Sequence, residues 1–120
     1  MMPNNHNQAP SWQPLSKLPL LAQMIDEGLT YALEQYQKLQ KAQNLTHPLD
    51  DQTVERILKV FAEQQEIMWV YTEQVSKWKT ENLDATQKQE IDKLETQLSQ
   101  MENAIADILS LTNQLKQKST

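Results

Sequence analysis

Gly28 is the only glycine in this 120-residue chain, and that scarcity restricts the fold more than any other feature. Hairpins and left-handed turns draw on glycine, so a sheet of several strands would have little to turn with. Glutamine is abundant and β-branched residues are sparse outside the apolar seams, as suits helix surfaces made from good helix formers. The expectation is an all-α protein, long enough at 120 residues for one domain with one core.

The stretch Val54 to Trp78 sets the predicted architecture. Steps of three and four give Val54, Ile57, Phe61, Gln64, Met68, Tyr71, Val75 and Trp78, the seam of a helix that packs on other helices. Ile67-Met68-Trp69-Val70-Tyr71 is apolar without a break, and at about 100° per residue those side chains point around the whole helix. The reading therefore makes this segment the middle member of a bundle.

The first helix is expected from near Ser16, which can cap it, through a seam of Leu18, Leu21 or Ala22, Ile25, Leu29, Ala32, Tyr36 and Leu39. Leu33 stands beside the seam, and Leu20, Met24 and Tyr31 form a second strip on its flank. Ile91, Leu94, Leu98, Met101, Ile105, Ile108, Thr112 and Leu115 alternate spacings of three and four over four heptads, the strongest periodicity in the chain.

Stop and start signals divide these seams. Asn44 and Thr46-His47-Pro48 end the first helix, and Asp50 or Asp51 caps the second. Asn82 offers a left-handed stop for the second helix, and Asp84 with Gln87 matches a reciprocal cap for the third. Glu34/Lys38, Glu55/Lys59 and Glu73/Lys77 have the favourable i,i+4 order. The prediction is an antiparallel three-helix bundle with coiled-coil-like packing, a single domain over residues 15–120 with helices at about 17–43, 51–79 and 85–117. Folding at the two turns puts Met68 near Ile25 and Leu98, with Gly28 admitting a bulky neighbour such as Trp69. Residues 1–14 read as a flexible tail, whose Trp12 either folds back with Leu15 over one end of the bundle or stays exposed.

Composition excludes several functions. A net charge of −5 and a lone arginine, Arg56, leave little with which to neutralise phosphates, so no direct nucleic-acid binding is expected. Lysines interleaved with acids make a poor membrane footprint, and no apolar run approaches the ~20 residues that span a bilayer. With no cysteine there is no thiolate chemistry. Residues 1–13 lack a basic stretch followed by an apolar one, so no secretory signal is expected and the location is read as cytoplasmic.

No catalytic, cofactor or metal site is expected. His6 and His47 fall in the tail and a turn, away from any recognisable partner. Glu63, Glu66 and Glu73 share a side of the second helix opposite its seam, as a solvated face does. Gln64 and Thr112, polar at seam positions, are expected to fix register.

Functional content resides in the apolar surplus. Leu20, Met24 and Tyr31 on the first helix, with Val60, Ile67, Trp69 and Val70 on the second, exceed what one bundle needs. A wide middle helix would bury most of them and leave Val70 out; otherwise they form an interface. The expected function is a non-catalytic interaction protein, a homodimer through Leu20, Met24, Tyr31, Ile67, Trp69 and Val70. The alternative is an acidic inhibitor, antitoxin or chaperone-like protein that masks a basic partner protein with the acidic face of the second helix.

Overall fold

A computed structural model describes residues 12–43 and 49–118. A short 3-10 turn, Leu15–Lys17, leads into α1 (Leu18–Gln43), followed by α2 (Asp51–Lys79) and α3 (Ala85–Lys118). The three long helices pack side by side in one bundle, with no strand among the described residues. His6, His47 and the turn read at Asn44 to Pro48 lie outside the described residues, as does the expected tail up to position 11.

Local chemistry accounts for most helix ends. Asp50 accepts a 2.7 Å hydrogen bond from the Thr53 amide, and this holds its carboxyl below the usual carboxylate range. At α3, the Asp84 carboxylate accepts from the Gln87 amide at 2.8 Å while Gln87 accepts from the Asp84 amide at 3.0 Å, so two exposed backbone donors are satisfied reciprocally. α2 does not stop at a left-handed Asn82, because no described non-glycine residue has a positive φ. Instead Thr80 keeps helical angles, and its hydroxyl and amide both donate to the Lys77 carbonyl. Ser16 stands inside the 3-10 turn rather than ahead of α1, and the turn is closed by the Lys17 amide on the Pro14 carbonyl.

The middle helix is α3, not α2. Both α1 and α2 pack closely along α3, while they approach each other much less. Besides the seam from Ile91 to Leu115, α3 buries a second stripe seven residues apart, Gln97, Ala104 and Leu111. Gln97 donates to Asp26 at 2.9 Å, which turns that stripe towards α1. On the other flank Lys79 pairs with Glu95 at 2.9 Å and Lys116 with Glu55 at 2.7 Å, and these tie the two ends of α2 to α3. Glu55, read from spacing as a partner of Lys59, reaches Lys116 across helices instead. Both lysines are held above the usual range by hydrogen bonds to these carboxylates. Side-chain size explains the arrangement. Ala104 on α3 and Ala32 on α1 are buried and let backbones close up, whereas Tyr31 stacked on Phe61 wedges α1 from α2.

The level of packing is the expected one at Ile25 and differs along α3. Met68 shares concave surfaces with Ile25, Met101 and Ile105, whereas Leu98 lies farther along, beside Thr72 and Val75. The neighbour of Gly28 is accordingly Met101, not Trp69: a Cβ at Gly28 would sit 2.8 Å from the Met101 Cε. Thr112 is fully buried but donates to the Ile108 carbonyl within its own helix, so it does not select a partner. Between α1 and α3 the polar link is Gln97 with Asp26.

Gly28→Ala therefore sets two effects against each other. Alanine favours the helix by about 1 kcal/mol, but the Met101 methyl must move, and a cavity of about 170 Å³ lined by both residues gives it room. The expected net change is within about 0.5 kcal/mol of zero. With Met101→Ala already in place, the same substitution should stabilise by about 1 kcal/mol in a denaturant titration. Equal effects in the two backgrounds would show that Met101 does not press on Gly28.

Candidate interaction surface

α1 and α2 run antiparallel over α3 and leave a groove between them. At about 100° per residue, Leu20, Met24 and Tyr31 fall on the flank of α1 that faces α2, and Val60 and Ile67 on the flank of α2 that faces α1. The groove has two compartments that share Met24 and Tyr71. The larger, about 360 Å³, is lined by Leu20, Leu21, Val70 and Trp78 among others. The smaller, about 170 Å³, reaches Ile67, Gln64 and, on α3, Met101. Among the described residues, Lys17 is the only charged one lining either compartment, in a chain of which 22% is charged. Tyr31 lies over Phe61 with ring centroids 6.1 Å apart and planes 14° from parallel. One face of Tyr31 is thereby spent on the core residue and the other is left to solvent.

Leu20, Met24, Tyr31, Ile67 and Trp69 keep between 45 and 54% of their surface in solvent. Val70 is half-buried, the reverse of the arrangement in which it alone would be left out. Leu33, expected beside the α1 seam, is also exposed. The six expected interface residues do not form one patch. Trp69 lies on the opposite flank of α2 from Ile67, beside a wetter hollow of about 560 Å³ that includes Gln65, Thr72, Glu73, Glu102 and Asn103. There it meets Trp12 edge-on at 6.5 Å. The separation follows from position, since residues 67 and 69 differ by about 200° around a helix.

Two buried glutamines were not anticipated as site residues. Gln97 joins α3 to α1, and Gln74 binds the chain ahead of α1. The spacing of Gln97, Ala104 and Leu111 carries a signal for the first; Gln74 carries none, because its partner is main chain. Gln64, at the groove, has a buried side-chain oxygen without a hydrogen-bond partner, an arrangement that costs about 1–3 kcal/mol where nothing donates to it.

No described group of three or more His, Cys, Asp or Glu side chains gathers as a metal site would require. No helix among the described residues is long and apolar enough to cross a membrane. Comparison with known protein families, with curated proteins and with solved structures finds no match to this chain.

Proposed function

We propose that the protein is a non-catalytic helical interaction protein that works in the cytoplasm and self-associates through the α1–α2 groove. The observation that carries this reading is the exposure of Leu20, Met24, Tyr31 and Ile67 along a groove with one charged lining residue among those described. Apolar area that one copy leaves wet is a driving force for association, at roughly 25 cal/mol per Å² covered. A second copy is the most economical cover. The two rims come from antiparallel helices, so a two-fold axis over the groove sets each rim against its counterpart. Repulsion between two copies of net charge −5 is screened over about 8 Å at physiological salt.

Sedimentation equilibrium or light scattering up to about 1 mM should show a concentration-dependent dimer. Met24→Glu with Ile67→Glu should raise its dissociation constant at least about 100-fold while leaving helicity unchanged, because both side chains already face water. A monomer throughout that range overturns self-association. If that monomer forms a salt-sensitive complex with a basic protein, the exposed carboxylates Glu63, Glu66 and Glu73 on α2 become the footprint of an acidic inhibitor or chaperone-like protein.

A further inference from the structure

The residues ahead of α1 are seated on α2 by a contact more specific than apolar cover. Gln74, buried on α2, addresses both polar atoms of one main-chain residue. Its Oε1 accepts from the Gln13 amide at 2.6 Å, and its Nε2 donates to the Gln13 carbonyl at 3.3 Å. The Trp78 Nε1 donates to that same carbonyl at 3.0 Å. Next to it, Trp12 rests edge-on against Trp69, with the Lys77 ammonium 5.0 Å from its ring centroid. The bundle itself does not call for a polar side chain at position 74. A leucine there would pack with less desolvation, so the amide is explained by what it binds.

This arrangement reads a peptide unit independently of the side chain at position 13, which is exposed. Specificity comes from the flanking positions. The residue before must bring an aromatic ring to Trp69 and Lys77, and the residue after, Pro14, keeps position 13 extended. The occupant is attached at one end by Leu15–Lys17 and lies at the surface, with Gln13 and Pro14 exposed and Trp12 only partly covered. Segments held by so few buried contacts open locally at low free energy.

We infer that Gln74, Trp78, Trp69 and Lys77 form a binding site for an extended peptide of the pattern aromatic–any–proline, and that Trp12-Gln13-Pro14 is its resident, displaceable occupant. The site shares Gln74 and Trp78 with the larger compartment of the groove, but it needs no second copy and can hold whether or not the groove forms a dimer. A tethered occupant has an effective concentration on the order of millimolar. An outside peptide therefore binds well only when the resident is weakened or the outside peptide makes further contacts.

The test uses the full chain with Trp12→Ala and Gln13→Pro, which removes the ring and the donated amide without touching the bundle. A synthetic peptide of residues 9–17, Ala-Pro-Ser-Trp-Gln-Pro-Leu-Ser-Lys, is titrated in, and the Trp78 indole N–H is followed by NMR. Saturable binding that returns this resonance towards its wild-type position is expected, with affinity at least about tenfold weaker for the unaltered chain, whose own segment competes. Adding Gln74→Leu to the opened variant should abolish binding. Absence of binding to the opened variant, equal binding to opened and unaltered chains, or full binding to a folded Gln74→Leu variant would each overturn the site. The comparison of opened with unaltered chain stands even if Gln74→Leu fails to fold.

Discussion

Trp78→Ala should remove about 3–5 kcal/mol of stability, a large share of the roughly 5–15 kcal/mol that holds a domain together, whereas Trp69→Ala should change it by about 1 kcal/mol or less. The two indoles sit nine residues apart on the same helix, yet one is 1% exposed and the other 54%. Removing Trp78 empties the junction where α2 meets the start of α1, and it deletes the donor to the Gln13 carbonyl. Removing Trp69 forfeits an edge contact with Trp12, of a kind worth about 0.5–1.5 kcal/mol. Trp78→Phe separates the two losses, since most of the packing stays and only the hydrogen bond goes; it should fall between the extremes, near 1–2 kcal/mol. Denaturant titrations of the three variants provide the check. Similar costs for Trp69→Ala and Trp78→Ala would contradict the burial pattern.

Ala104→Glu is the second large effect expected, with a loss of about 3 kcal/mol or more. Ala104 lies on the α3 stripe that faces α1 and is buried there, so a carboxylate would be forced between two closely spaced backbones without a cation to pair it. Met24→Glu, also an apolar-to-acid change, should leave the stability of the single copy nearly unaltered because Met24 is already wet. The contrast tests which helix is central. Had α2 been the middle member, a residue beside the α3 seam would face solvent and accept the charge. A cost below about 1 kcal/mol for Ala104→Glu, measured by denaturant titration, would restore that arrangement.

Much of the architecture was legible residue by residue. The Asp84–Gln87 reciprocal cap and the Asp50 cap are short-range chemistry, decided by side chains within three positions of the amides they satisfy. The α3 seam from Ile91 to Leu115 was readable because a strict alternation of three and four leaves one stripe to bury. The surplus on α1 was readable for the same reason: Leu20, Met24 and Tyr31 cannot share a face with Ile25 and Leu29.

Less legible was everything that depends on distance between helices. Periodicity tells which side of a helix is apolar, not how near its neighbour comes. The continuous apolar run at Ile67 to Tyr71 pointed to α2 as the centre, while Ala104 and Leu111, which give α3 its second buried stripe, are individually unremarkable in sequence. The pairing of Gly28 with Met101 and the unpartnered oxygen of Gln64 depend on what a neighbouring helix brings to those positions. The seating of Gln13 on Gln74 joins residues 61 apart through main-chain atoms, for which no side-chain pattern exists.

By itself, then, the amino-acid order determined that this chain forms three amphipathic helices with an excess of apolar surface, because helix formation and side-chain facing are set within a few residues along the chain. Tertiary structure alone decided that α3 lies between the other two, that Met101 rather than Trp69 meets Gly28, and that Trp12 to Pro14 dock on α2. Those outcomes follow from how alanine, methionine and stacked aromatic rings space the helices, a balance of volumes that exists only once the surfaces meet.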